Sequence, residues 1–429
     1  MSLTRRTLVL AALIVLLAIV GLWSPDPALS RLWLAPAALL LLALAVEGAL
    51  QRRVRVEARM TDGARARLGR PHELSVEWFS TRPATLRVMT GLPAGLEAPA
   101  QAVTVSSGPR GTASRIAALP VGLGRHAWPM LRGRVRGALG LAWWTRQLRP
   151  QGEVRVEPDL LGRVRPGKSL APSGIAQRAV AGSGTELHEL RAYRRGDPLR
   201  AIDWKASARR GYWIARDRFA EQHLEIMMVL DVGRTSAVAL DTLTRLGHYV
   251  NAACRFSEHA VQNEDRIGLV TFADVPLVSL GPAHGTAAVR RLRAALAGAA
   301  SLARESNPLL AAARVLTLSR QRALVVFMLD LDDVGSQGQL AQAVRLLTPK
   351  HLPVVCGLLN PELFDLRDGV AGKWIDPYLG LAASEQITRL RSSAAALRQL
   401  GAPVVLASPA QFEDSVFSTY DRMRARRRV

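Results

Sequence analysis

The stretch HLEIMMVLDVGRTS, residues 223–236, decides how the second half of this chain folds. From Leu224 to Leu230 the run is apolar but for Glu225, without the polar alternation of a half-exposed strand, and it stops at Asp231. Such a run reads as a strand buried on both faces, the kind found in parallel sheets. Four runs of the same character follow: DRIGLVTFAD (265–274) with PLVSL behind it, ALVVFMLD (323–330), LPVVCGLL (352–359) and APVVLAS (402–408). Helical periods separate them, over Leu243 to Val261, Thr286 to Ala299, Pro308 to Ser319, around Leu340 and over Ala383 to Leu400, and a last helix closes the chain. Continuous apolar strands between amphipathic helices predict a doubly wound α/β domain over residues 223–429. Ligands of such folds bind beyond the carboxyl ends of the strands, which singles out Asp231 and Asp330.

Upstream of this domain, GTELHELRAYRRGDPLRAIDWKASARRGYWIARDRF (184–219) is the most distinctive segment. It interleaves Arg, Asp and Glu with Tyr193, Trp204, Tyr212 and Trp213 around a Gly196-Asp197-Pro198 turn. Arginine pairs with carboxylates in bidentate fashion and lies against aromatic faces, so these residues suit an ordered polar network offered to a partner. The candidate partner-binding residues are Arg191, Tyr193, Asp197, Arg200, Asp203, Trp204, Lys205 and Arg209. The competing reading is a solvated charged face. His188 and Glu189 have no fixed base or nucleophile beside them, and no catalytic residues are expected there. The segment from about 161 to 184, rich in Gly, Pro, Ser and Ala, reads as a linker, so residues 161–222 are taken together as linker and charged segment.

Further upstream the period falls to two. Val54, Val56, Ala58 and Met60 alternate with charged residues, as do Leu74, Val76 and Trp78, and ATLRVMTGL, QAVTVSS and GEVRVEP add short runs between turns. These predict a small β-sandwich over residues 51–160, a spacer or docking module. Residues 1–50 carry two apolar runs, Thr7 to Trp23 and Leu32 to about Val46, joined by SPDPALS. Each approaches the length that spans a bilayer, and together they read as a transmembrane hairpin. Arg5 and Arg6 before it, and Arg52, Arg53 and Arg55 after it, predict that both ends stay in the cytoplasm. The alternative is a signal peptide cleaved near Ala28-Leu29-Ser30.

The net charge of +22, from 57 basic and 35 acidic residues, attracts phosphate of any source. No basic recognition helix, zinc-finger spacing or aromatic-basic motif accompanies it, so specific nucleic-acid binding is not expected. Cys254 and Cys356 lack the spacing of a disulfide framework or metal site and read as small core residues. The tail DRMRARRRV, with Arg422, Arg424, Arg426, Arg427 and Arg428, is a solvated helix end or a contact for anionic lipid.

The apolar hairpin, GALGLAWW (137–144) followed by VEPDL, and the run ELHELRAYRRGDPLRAIDWKASAR together resemble the family catalogued as domain of unknown function 58. The resemblance implies a von Willebrand factor A-like domain after the charged segment and a working association with MoxR-type AAA+ ATPases. In von Willebrand factor A domains, Asp-x-Ser-x-Ser after the first strand holds a divalent cation together with a distant Thr and Asp. Here the run is Asp231-Val232-Gly233-Arg234-Thr235-Ser236, so Gly233 replaces the first hydroxyl ligand. Asp231, Thr235 and Asp330 are what remains of the set, with Ser306 the nearest substitute for the loop hydroxyl. A hard cation such as Mg²⁺ wants about six oxygens, and a site one ligand short is weak. Arg234 is the residue expected to bring a fixed positive charge there. Mg²⁺ is the one cofactor this leaves open.

The functional expectation is a non-enzymatic adaptor in the bacterial inner membrane, its folded parts in the cytoplasm, partnered by the membrane, a MoxR-type ATPase and a client protein. The alternative is a metal-dependent hydrolase or phosphotransferase using Asp231 and Asp330, against which stands the lack of a phosphate loop or Ser-His-Asp order.

Overall fold

The computed structural model describes residues 2–23, 30–60, 65–89, 91–98, 102–159, 181–194, 197, 199–219, 223–370 and 372–427. Most of the SPDPALS turn, most of the Gly- and Pro-rich linker, Arg195, Gly196 and Arg428 lie outside them, as do the side chains of Glu186, His188, Glu189 and Arg200. The chain is mixed α/β with several sheets and divides into two units, residues 1–159 and 160–429.

In the first unit, α1 (Arg5–Leu22) and α2 (Leu34–Arg52) are long and apolar enough to cross a membrane. Twelve strands accompany them: β1 (Ser2–Leu3), β2 (Val56–Met60), β3 (Arg65–Arg67), β4 (His72–Ser80), β5 (Ala84–Met89), β6 (Leu96–Glu97), β7 (Ala102–Ser107), β8 (Thr112–Pro120), β9 (Gly124–Ala127), β10 (Leu131–Arg136), β11 (Ala142–Leu148) and β12 (Glu153–Glu157). Among the described residues they build three sheets, β1-β11-β10-β5-β7, β2-β4-β8-β6 and β3-β12-β9. The alternation at Leu74, Val76 and Trp78 is buried as read, and Leu86, Val88 and Val135 join the buried set.

The second apolar run does not stop at Val46. Its helix continues through Glu47, which is fully buried. Glu47 Oε1 accepts the Ala142 N–H at 2.9 Å and the Trp144 indole N–H at 3.3 Å, and Oε2 accepts the Leu141 N–H at 3.1 Å. A Cβ at Gly137 would lie 1.6 Å from Glu47 Oε1, so only glycine fits there. The start of α1 meets the same loop: β1 pairs antiparallel with β11, and Thr4 Oγ1 donates to the Gly140 carbonyl at 2.8 Å. The GALGLAWW segment is therefore the socket into which both helices are fastened.

In the second unit a six-stranded sheet runs β19 (Pro276–Ala283), β18 (Arg266–Phe272), β15 (Glu225–Asp231), β20 (Ala323–Met328), β21 (Leu352–Leu358), β22 (Val404–Ala407). All neighbours are parallel except the antiparallel edge strand β19. The order runs outward in both directions from β15, so chain connections diverge between β15 and β20. One face of the sheet is covered by α6 (Pro308–Leu318), α7 (Val334–Leu347) and α9 (Asp376–Gln399), which bring Ala312, Val315, Leu340, Val344 and Leu397 into the core. A separate set, α4 (Arg245–Gln262), α5 (Gly285–Ala297) and α10 (Phe412–Arg427), packs together through Tyr249, Phe256, Phe412 and Tyr420. Cys254 and Cys356 are free and buried, and burial pushes both thiols up to about 12.

Two further elements differ from the sequence reading. A short helix, α8 (Glu362–Asp368), was not foreseen, and α9 starts at Asp376 rather than Ala383. That first stretch exposes Tyr378 and Leu381 and so lacks the buried stripe by which a helix is recognised. Arg424 of the tail is not a solvated end: it donates to the Asn263 carbonyl at 2.7 Å and lies 3.4 Å from the buried Asp265.

Candidate functional site

The charged segment folds into a compact module. β13 (Ala181–Ala192) pairs antiparallel with β14 (Ile214–Phe219), and between them lies α3 (Trp204–Arg210). Asp203 caps α3 by accepting the Ala206 N–H at 3.0 Å, as a carboxylate at that position does. Gly211 ends the helix in the left-handed region, φ +74°. Ile202, Ile214 and Ala215 make a small core, and the Ile214 N–H donates to Ser207 Oγ at 2.9 Å.

Several of the residues expected to contact a partner also contact each other. Arg191 grips Asp197 with both terminal nitrogens, at 2.7 and 2.9 Å. The Arg194 N–H also donates to Asp197 Oδ2, and these donors hold the Asp197 carboxyl at about 2, the Arg191 hydrogen bonds contributing most. The Tyr193 hydroxyl donates to the Asp197 carbonyl at 3.0 Å, and its ring meets Trp213 edge-on at 5.5 Å. The Arg191, Tyr193, Asp197 and Asp203 contacts shape the module from within. What it turns outward is Leu199 (66% exposed), Trp204 (63%), Tyr212 and Trp213 (57%), with Lys205 and Arg209 also exposed. Leu199 was not singled out by sequence, because one leucine in a charged run carries no periodic signal.

The second cluster lies beyond the carboxyl ends of β15 and β20. Asp231 is buried, and its Oδ1 accepts the Gly233 N–H at 2.7 Å and the Ser306 hydroxyl at 2.6 Å. Burial raises its carboxyl to about 6. The Ser306 and Gly233 hydrogen bonds oppose the rise, and the charges of Asp330 and Asp333 add to it. Asp330 is engaged by Arg245, from the first turn of α4, whose side chain is only 9% exposed. The same Arg245 nitrogen donates to the Thr235 carbonyl at 3.1 Å. Arg234 turns elsewhere, to Glu305 at 2.8 Å and Asp333 at 3.4 Å. The positive charge expected from Arg234 is thus supplied at Asp330 by Arg245. Sequence reasoning missed it because nothing in the run around Thr244-Arg245 signals that this guanidinium folds inward.

A divalent cation would need oxygens here, and the donor set does not fit one. Gly233 lacks the hydroxyl, and a Cβ there would come 2.3 Å from Ser306 Oγ. Asp330 is already paired with a buried cation. Thr235 Oγ1 and, just beyond β20, Asp332 Oδ1 are buried oxygens without a hydrogen-bond partner among the described residues. Among those residues no group of three or more His, Cys, Asp or Glu that could hold a metal ion is found.

The model of the family described as "Protein of unknown function DUF58" matches residues 189–372. The match covers the segment from Glu189 to Gly372, less than half of the chain. The DUF58 match takes in the module from Glu189 onward, Asp231, Arg245 and Asp330, and leaves the N-terminal unit outside it, so the family likeness extends over less of the chain than the sequence reading gave it. No curated protein matches. Among solved structures similar to this chain are the conserved hypothetical protein BatB from Bacteroides thetaiotaomicron (11% identity, 46% of this chain and 99% of that one, TM-score 0.31) and an aerotolerance-related membrane protein from Bacteroides fragilis NCTC 9343 (12%, 42% and 98%, 0.26). An uncharacterized membrane spanning protein from Vibrio fischeri is a third (14%, 48% and 98%, 0.19). Likeness at these scores carries no argument about chemistry.

Proposed function

We propose that this chain is a membrane-anchored adaptor, not an enzyme, that docks partner proteins and works with a MoxR-type AAA+ ATPase on a client protein. In this reading α1 and α2 hold it in the bacterial inner membrane with its folded parts in the cytoplasm, as the arginines flanking the helices favour. The second unit is then a von Willebrand factor A-like doubly wound domain whose crevice, with Arg245 against Asp330, serves as a metal-free surface.

One observation carries the reading: a module held rigid by the Arg191–Asp197 clamp and the Asp203 cap presents Leu199, Trp204, Tyr212 and Trp213 to solvent beside Lys205 and Arg209. Exposed aromatics with cations in the same short segment match the composition of protein interfaces, where Trp, Tyr and Arg are enriched.

The test is recovery of partners with tagged full-length protein from native membranes. An AAA+ ATPase should copurify, and Leu199→Ser with Trp204→Ser should cut its recovery about tenfold, as expected for the loss of an aromatic anchor, while leaving the melting temperature in place. Undiminished recovery in that variant would remove the module from the interface. A phosphatase fusion at the C-terminus that is active outside the cytoplasm would overturn the orientation.

A further inference from the structure

The N-terminal unit contains a feature that the docking role does not use. Where α1 begins and α2 ends, a cavity of about 610 Å³ is lined by Arg6 from the first turn of α1, Arg82 from the β4–β5 turn and Arg136 from the end of β10. Thr85, Ser106 and Gly140 also line it. Among the described residues none of the three guanidinium groups has a carboxylate within ion-pair distance. The acid nearest this loop, Glu47, has both oxygens engaged by the N–H groups of Leu141, Ala142 and Trp144. Three like charges gathered in one concavity repel each other, and an anion with several acceptor oxygens would offset that.

A second hollow abuts it. A groove of about 370 Å³ between α1 and α2 is lined by Leu10, Leu13, Leu17, Leu39, Ala43 and Leu141. Leu10 is one helical turn beyond Arg6, and Leu141 follows Gly140, so the basic cavity and the apolar groove share both a helix and a loop. The apolar helices end at the basic cavity, which puts it at headgroup level when they span a bilayer. Basic pockets beside transmembrane helices hold the head groups of anionic lipids.

We infer that the two hollows form one site for an anionic phospholipid, with its phosphate among Arg6, Arg82 and Arg136 and an acyl chain against the leucines of α1 and α2. A soluble phosphate would use only the first hollow, and a zwitterionic lipid would bring a cation of its own towards the three guanidinium groups. The inference rests on membrane anchoring and is independent of any docking partner.

Native mass spectrometry of the full-length protein, released from bilayers containing equal phosphatidylglycerol and phosphatidylcholine, tests it. One phosphatidylglycerol should be retained at least tenfold over phosphatidylcholine. Arg6→Gln, Arg82→Gln and Arg136→Gln together should lower that retention about tenfold. Arg65→Gln, Arg67→Gln and Arg132→Gln, which remove the same charge elsewhere in the unit, should change it less than twofold. Ala43→Phe, which fills the groove, should also weaken retention. If the triple variant fails to fold, Arg82→Gln alone, on an exposed turn, should still lower it severalfold. Equal retention of the two lipids, equal loss in both triple variants, or displacement of the lipid by inorganic phosphate at millimolar concentration would overturn the assignment. Alkaline extraction in parallel reports anchoring separately: release of the protein would remove the premise rather than the site.

Discussion

Glu47 and Asp330 are both carboxylates taken out of water, and the two halves of the molecule satisfy them differently. Glu47 sits in an uncharged socket of two backbone N–H groups and an indole N–H. Asp330 faces a full positive charge, Arg245, which is itself buried. Peptide dipoles fixed by a strand cost little to desolvate and cannot leave, so the first arrangement fastens a helix to a sheet. An ion pair loses hydration at both partners, so breaking it leaves a stranded charge. The first is a rivet, and the second closes a crevice.

The largest effect should come from breaking the ion pair. Arg245→Met strands Asp330 and should cost roughly 3–5 kcal/mol in denaturant unfolding of the full-length protein, whereas Arg245→Met with Asp330→Leu should recover most of that loss. If the single variant is as stable as wild type, Arg245 does not hold the crevice closed. The second effect is one of pH. Asp231 titrates at about 6 against an ordinary 3.8, so between those values the folded chain binds a proton that the unfolded chain has released. Stability therefore falls as pH rises from about 4 to about 6, by about 3 kcal/mol at most. Asp231→Asn should remove this slope, and melting curves across that window in both proteins would reveal a slope that persists.

Smaller effects sharpen the other side of the comparison. Glu47→Gln keeps one acceptor oxygen but sets an amide NH₂ against N–H donors in place of the second, and should cost about 1–3 kcal/mol, read as a lower melting temperature in detergent. Gly137→Ala should be at least as damaging, because its methyl group meets Glu47 directly. The smallest effect concerns the exposed clamp. The Asp197 carboxyl is held down near 2 by Arg191, so its stabilisation is complete above pH 4 and fades as pH falls towards 2. Asp197→Asn should therefore lower the melting temperature slightly at pH 7 and converge with wild type at pH 2. Persistence of the difference there would show that it does not come from the carboxylate charge.

The sequence by itself determined the elements whose signal is local. Seven consecutive buried residues in β15, the alternation at Leu74, Val76 and Trp78, and two uncharged runs near the N-terminus each declare their environment through composition and period. It also marked Asp231 and Asp330 as strand-end residues, and GALGLAWW and the 184–219 run as distinctive. Only the tertiary structure decided what those marks mean. Arg245 lies 85 residues from Asp330, and Glu47 lies 95 from Ala142, so neither pairing leaves a periodic trace in the chain. The roles of Arg191 and Asp197 followed the same logic in reverse: a sequence reports that charges are present, but their direction, towards each other or towards a partner, is fixed by the backbone of the module that carries them. Hydrophobic period is written along the chain, whereas the pairing of polar groups is chosen by which distant atoms folding brings within 3 Å.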